Sequence, residues 1–233
     1  MTSRTFVVTG ANRGIGLAVT GYLAAAGHTV VAACRRPDQA ADLAVLGVPV
    51  VALDLTDEAS IAAFAESVAA HVSAVDVLVH NAAIKQAPGE PWEASAGPVS
   101  HLRADALMAV LRTNVVGPLL VTQTLRPLLA SGAVVAHLSS LLGSLAGTVG
   151  IDYAYNASKA AINMVTVTMQ RDVDLAGVAS VSINPGWIRT SMGGDDAPLD
   201  LESASRDIAD LLQRLDESFA GRFVDRFGHD VPW

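Results

Sequence analysis

Along the 233 residues, short β-branched and apolar runs alternate with longer alanine-rich segments. The runs are Phe6-Val7-Val8, Thr29-Val30-Val31, Pro49 to Leu53, Val75 to Val79, Val134 to Leu138 and Val178 to Ile183, with a last short one at Arg222-Phe223-Val224. Continuously apolar strands are those buried on both faces, so the pattern predicts a parallel sheet covered by helices on either side. The intervening segments predict helices over 14–26, 38–46, 57–73, 103–130, 153–176 and 200–216. The expected class is α/β: a doubly wound parallel sheet of about seven strands in a single domain. The Pro- and Gly-rich stretch from Ala87 to Pro98 reads as a loop inserted in that domain, and no internal repeat is present.

Composition narrows the partners. Hydrophobic residues make up 51% of the chain, enough for a large core. The net charge is −8 and the basic residues are scattered, which argues against a nucleic-acid surface. Met1 to Thr5 lack the apolar core of a signal peptide, and no apolar run approaches the ~20 residues of a membrane span. With Cys34 as the one cysteine, neither an internal disulfide nor a thiolate metal cluster can form. A cytoplasmic protein is expected, with no membrane partner. Six histidines without partners at ligand spacing give no reason to expect a metal.

In a doubly wound sheet, ligands sit beyond the carboxyl ends of the strands. The first strand ends in Thr9-Gly10-Ala11-Asn12-Arg13-Gly14-Ile15-Gly16, followed by the helix from Leu17. Glycines there let the backbone turn sharply and approach a pyrophosphate, while the helix start presents free N–H groups to the anion. The spacing Gly-x-x-x-Gly-x-Gly differs from the common dinucleotide fingerprint. It resembles the opening Thr-Gly-x-x-x-Gly-Ile-Gly turn of the short-chain dehydrogenase/reductase family, and this resemblance implies a single-domain Rossmann fold.

A free ribose 2′-OH calls for a carboxylate at the end of the second strand, and a 2′-phosphate for cations. That strand ends in Ala33-Cys34-Arg35-Arg36, with no acid. Arg35, together with Arg13 of the glycine turn, therefore points to NADP(H) in preference to NAD(H); both positions are basic in family members with that preference. Arg36 reads as a solvated surface cation. By the same resemblance Gly10, Asn12, Gly14, Ile15 and Gly16 cradle the pyrophosphate, and Asp54 with the backbone of Leu55 meets the adenine. His80-Asn81-Ala82-Ala83 stands in the place of the family's Asn-Asn-Ala-Gly. Asn81 and Ala82 match and border the cofactor; His80 reads as a structural buttress.

In Tyr153-Ala154-Tyr155-Asn156-Ala157-Ser158-Lys159, residues four apart share a helix face. Tyr155 is thereby paired with Lys159, whereas Tyr153 faces Ala157. An adjacent cation lowers a phenol's pKa from ~10 by roughly 1 to 3 units, so the pairing predicts a phenol poised for proton exchange. Ser139-Ser140 closes the fifth strand, and Asn114 lies in the predicted long helix. Asn114, Ser140, Tyr155 and Lys159 match the family's catalytic tetrad. The resemblance implies Tyr155 as general acid or base and as a cofactor-binding residue, with Ser140 as the hydrogen-bond donor to the substrate carbonyl. Lys159 would hold the nicotinamide ribose, and Asn114 would keep a water in a proton relay. Asn184-Pro185-Gly186-Trp187-Ile188-Arg189-Thr190 matches the family's Pro-Gly-x-x-x-Thr segment, so Pro185, Gly186, Ile188 and Thr190 would border the nicotinamide.

The resemblance spans nearly the whole chain and is closer in the second half to the carbonyl-reductase-like branch that includes the bacterial C-factor proteins. Pocket walls are expected at Ile84 to Trp92, Leu141 to Ile151 and Trp187 to Pro198. Leu141, Leu142, Trp187 and Met192 would form an apolar wall for a small carbonyl or alcohol substrate, whereas Trp92 reads as a loop anchor. The implied activity is NADPH-dependent carbonyl reduction, against the alternative of a non-catalytic NADP(H)-binding regulator. An epimerase or dehydratase of the longer relatives fits less well, since no substrate domain follows Thr190. The long apolar helices predict a homodimer or homotetramer, as in many relatives.

Overall fold

A computed structural model describes residues 2–150 and 152–233. Seven strands form one parallel sheet: β1 (Thr5–Thr9), β2 (Thr29–Cys34), β3 (Val50–Ala52), β4 (Val75–His80), β5 (Leu129–Leu138), β6 (Ala179–Asn184) and β7 (Arg222–Asp225). Their spatial order is β3-β2-β1-β4-β5-β6-β7, so the winding reverses between β1 and β4. Period-two alternation sends each strand's side chains into two separate cores. Phe6 and Val8 pack with Val19 and Leu23 of α1 (Gly14–Ala25) and with Ile208 and Leu212 of the last long helix. Val7 points the opposite way, toward Phe64, Val121 and Leu125. Both faces are thus covered, as the continuous apolar runs predict.

The remaining helices are α2 (Ala41–Val45), α3 (Glu58–Ala69), α4 (Glu93–Ala96), α5 (Ala104–Leu111), α6 (Gly117–Leu125), α7 (Tyr153–Met169) and α8 (Leu201–Arg214). Four sequence expectations need correction. Helix 103–130 is α5 and α6 joined by a π-helical turn, Arg112–Val116, and it ends before β5 begins at Leu129. Pro127 lacks the N–H that would continue the helix. Helix 153–176 stops at Met169, and the expected 87–98 loop holds α4. The whole helical stretch Ala104–Leu128 is long and apolar enough to cross a membrane, contrary to the sequence reading. In the fold its inner side carries buried Val110, Val121 and Leu125, the last two packed over the sheet.

Candidate active site

The glycine turn is shaped by close approach as much as by turning. Gly10 and Gly14 have φ of +65° and +54°, conformations that side chains rarely adopt. A methyl group on Gly10 would lie 2.8 Å from Ala82 Cα, and one on Gly16 would strike the Asn81 amide and the Gly10 carbonyl. Asn81 braces this turn from β4, with Nδ2 donating to Thr9 O at 2.9 Å and Gly10 O at 3.0 Å. Thr9 Oγ1 accepts the N–H groups of Asn81 and Ala82 at 3.1 and 3.2 Å. The Asn81 side chain, expected beside a cofactor, is therefore occupied in holding the turn. Among the described residues no side chain caps α1 and no acid sits in its first turn, leaving N–H groups for an anion.

A cleft of about 490 Å³ runs along the carboxyl ends of the strands. It brings together Gly10, Asn12, Arg13, Gly14, Ile15, Arg35, Asp54, Leu55, Asn81, Ala82, Tyr155, Lys159, Pro185, Thr190 and Met192. Arg13 and Arg35 are exposed at its rim, and Arg13 Nη1 donates to Ser191 Oγ at 3.4 Å. Arg36, expected as a purely solvated cation, lines the cleft too, as do Cys34, Gln39 and Ser191, which the sequence reading passed over. Asp54 Oδ1 accepts the Thr56 N–H and hydroxyl at 2.9 and 2.7 Å, and Asp54 Oδ2 has no such partner in the described residues. Burial pushes this carboxyl up, but the two Thr56 bonds and nearby Arg35 hold it below its ordinary value. An open helix start, an available carboxylate oxygen and three cations suit a dinucleotide with a 2′-phosphate.

Gly16, Gly186 and Ile188 act behind the cleft. A methyl group on Gly186 would meet Leu199 Cδ1, at a φ of +88°, and Ile188 is buried and bridged to Leu199. Thr190 Oγ1 accepts the Gly193 N–H at 3.0 Å, closing the turn that brings Met192 to the cleft. Of the four expected wall residues, Met192 alone borders this cleft. Leu141 and Trp187 are exposed beside it, Leu142 is half-buried, and Trp187 Nε1 donates to Gly193 O at 2.7 Å. Trp92 is 40% exposed rather than anchored in the core, and Ile151 lies outside the described residues.

The tetrad residues converge from three elements. Tyr155 and Lys159 lie one turn apart on α7, with Lys159 Nζ 5.4 Å from the Tyr155 ring centre. Lys159 is buried and donates to Leu138 O at 2.6 Å. Ser139 is also buried and donates to Asn163 Oδ1 at 2.7 Å, so its hydroxyl is committed to the scaffold. Ser140 is half-exposed, and its Oγ accepts the Leu142 N–H at 3.2 Å. Asn114 occupies the π-helical turn instead of a regular helix. Pro118, four residues on, has no N–H to give the Asn114 carbonyl an α-helical partner. The Asn114 side chain is fully engaged: Oδ1 accepts the Ile84 N–H at 2.8 Å, while Nδ2 donates to Ile84 O at 2.8 Å and Ser158 Oγ at 3.0 Å. Its amide thus clamps the strand-end segment after β4, and any water held by this residue would use its backbone carbonyl.

Electrostatics correct the expectation for Tyr155. Burial pushes its phenol up to about 12, Asp152 adds to the rise, and the Ser140 hydroxyl partly opposes it. Burial also brings Lys159 down to about 8, which weakens the cation on which a lowered phenol pKa depends. His80 is a buttress: buried, stacked 5.0 Å from His137 of β5, and hydrogen-bonded through Nε2 to Thr122 Oγ1 at 2.9 Å.

Residues 4–198 match the family described as short chain dehydrogenase. The C-signal protein of Myxococcus xanthus is 40% identical over 162 residues, covering 68% of this chain and 93% of that protein. Among solved structures, the carbonyl reductase Sniffer of D. melanogaster superposes with a TM-score of 0.88 at 28% identity, covering both chains fully. The NADPH-bound carbonyl reductase from chicken fatty liver gives a TM-score of 0.88 at 30% identity, over 100% of this chain and 95% of that one. With the sheet order, the glycine turn and the Tyr155/Lys159 face already in place, these similarities show that the chain belongs to the short-chain dehydrogenase/reductase family of oxidoreductases.

Proposed function

We propose that the protein is an NADPH-dependent carbonyl reductase. The observation that carries this reading is the single cleft in which Tyr155 and Lys159 share walls with the glycine turn, Arg13 and Arg35. The uncapped start of α1 would hold the pyrophosphate, Asp54 the adenine, and Arg13, Arg35 and Arg36 a 2′-phosphate. Lys159 would hold the nicotinamide ribose, with Pro185 and Thr190 beside the ring. The bound nicotinamide supplies the hydride. The chain supplies the proton: Tyr155 donates it to the substrate oxygen, which the Ser140 hydroxyl orients, while Ser139 stays bound to Asn163. Met192 at the cleft edge, with Leu141 and Trp187 as exposed apolar residues, favours a small apolar aldehyde, ketone or quinone.

The test is the initial rate of NADPH and NADH oxidation against a panel of such carbonyls, with Tyr155→Phe run in parallel. Turnover that prefers NADPH and falls by at least ~100-fold in the variant is the expected result. The likeness to the C-signal protein supports a second reading, a cofactor-binding regulator. NADPH binding without Tyr155-dependent turnover of any carbonyl would select it.

A further inference from the structure

Asp152 stands three residues before Tyr155 and is only 6% exposed. Its Oδ1 accepts the backbone N–H of Tyr155 at 3.2 Å, and its backbone carbonyl accepts that of Asn156 at 2.9 Å. It therefore caps α7 at the turn that carries the phenol. Its Oδ2 is buried and makes no hydrogen bond among the described residues. Facing that oxygen at 3.8 Å is Lys85 Nζ, whose side chain is 42% exposed. Lys85 follows Ile84, the residue gripped on both backbone groups by Asn114. Tetrad residue, clamped segment, lysine, buried carboxylate and the backbone of Tyr155 thus form one connected chain. A cap needs only a polar oxygen, which Ser, Thr or Asn would provide without a charge. A buried acid against the proton-transfer residue has an electrostatic consequence that those caps lack.

We propose that Asp152, coupled to Lys85, is a positioning residue that keeps the proton on Tyr155 and so sets the pH range over which the site donates a proton rather than accepts one. The inference rests on the reading of Tyr155 as the proton donor. An ionised Asp152, one turn before Tyr155 and bonded to its backbone N–H, disfavours a second negative charge on that residue's phenol, and Lys85 partly screens it. The other titratable groups near the pair are Lys159 one turn along α7, His137 behind Lys159 on β5, and exposed Tyr153. The direction agrees with the raised phenol, to which Asp152 contributes after burial. Reduction would then persist into alkaline solution, and alcohol oxidation would begin only at high pH.

The test compares Asp152→Asn, Asp152→Ser and Asp152→Glu in the full chain, each checked by circular dichroism. The phenolate absorbance of Tyr155, isolated by subtracting Tyr155→Phe, is read near pH ~10, about where an ordinary phenol titrates. Both neutral caps are expected to raise the Tyr155 phenolate fraction about tenfold, one pH unit of midpoint, while the Glu variant stays with the wild type. In alcohol oxidation the acid limb of kcat/KM should move down by the same unit in Asn and Ser and up in Lys85→Met. Folded variants whose phenolate fractions do not sort by charge would overturn the proposal, as would a Lys85→Met limb that moves down or stays. The absorbance needs no cofactor or substrate. A chain that turns over no carbonyl yet shows the tenfold rise would remove the reductase reading, and with it the role in proton donation, and leave only the coupling of Asp152 to Tyr155; turnover with unmoved absorbance would overturn the proposal and keep the reductase reading.

Discussion

Arg35 follows β2 and Arg13 stands at the start of α1, both exposed on the rim of the cleft, so a phosphate can reach each of them from solvent. A charge-assisted hydrogen bond contributes roughly 1.5 to 3 kcal/mol. Arg35→Ala should therefore weaken NADPH binding by about 10- to 100-fold and leave NADH within about twofold, as read by quenching or calorimetric titration. Equal losses for both cofactors would place Arg35 elsewhere. Such residues were legible because the chemistry of the motif names them: Arg13, Arg35, Tyr155 and Lys159 all reach one cleft. What spacing could not reveal was occupancy and burial. Ser139 borders the cleft but donates to Asn163, twenty-four residues on, and Asn81 turns out to brace Gly10. The Tyr155 shift runs opposite to the expectation for the same reason, since helical spacing shows Lys159 but not the depth at which both residues lie. Asp152 had a visible signal, an Asp at a helix N-cap position, but its burial against Lys85 is a tertiary fact.

Between elements, the strands were read closely because apolar runs mark them, whereas helix ends depend on breakers and contacts. Pro118 and Pro127 were both visible in the predicted 103–130 helix, and they coincide with its π-helical turn and its end. Gly117 seats that turn against the loop between β3 and α3, since a methyl group there would lie 2.7 Å from Leu55 Cβ. Gly143 does the same for α7, where a methyl group would lie 2.6 Å from the Lys159 carbonyl carbon. Gly143→Ala should displace Lys159 and cost about 1 to 3 kcal/mol, measured by urea unfolding, with a parallel loss of turnover. The pairing of β4 with β5 sets His80 directly beside His137. Both are held neutral: burial brings His80 down to about 3, and burial, His80 and Lys159 keep His137 well below its ordinary value. An unfolded histidine takes its proton near pH ~6.5, so below that the unfolded chain binds protons that the fold refuses. Stability should fall with pH from about 6.5 toward 3, each imidazole adding a slope of about 1.4 kcal/mol per pH unit. Urea unfolding at pH 7 and about 5.5 should show this loss in the wild type and a smaller one in His137→Val; identical pH slopes would mean that His137 is protonated in the fold.

At the scale of the whole molecule, the cleft lies where the winding reverses between β1 and β4, and it is walled by residues from Gly10 to Met192. The glycine turn, the clamped segment after β4, the end of β5, α7 and the Pro185–Thr190 segment all contribute, so a ligand in the cleft bridges both halves of the sheet. Binding confined to the folded state adds RT ln(1 + [L]/Kd), about 2.7 kcal/mol at a hundredfold excess over Kd. For a domain of this size that corresponds to a rise in Tm of roughly 5 to 10 °C. NADPH should produce it in the wild type and equally in Tyr155→Phe, because the phenol oxygen serves proton transfer more than cofactor affinity. Arg35→Ala should lose most of the rise with NADPH but keep whatever smaller rise NADH gives. A thermal scan of the three proteins with each cofactor therefore separates fold, phosphate recognition and chemistry. If Tyr155→Phe lost the NADPH rise as well, Tyr155 would belong to the binding of the cofactor, and the division of labour between the cations at the rim and the phenol at the floor would have to be redrawn.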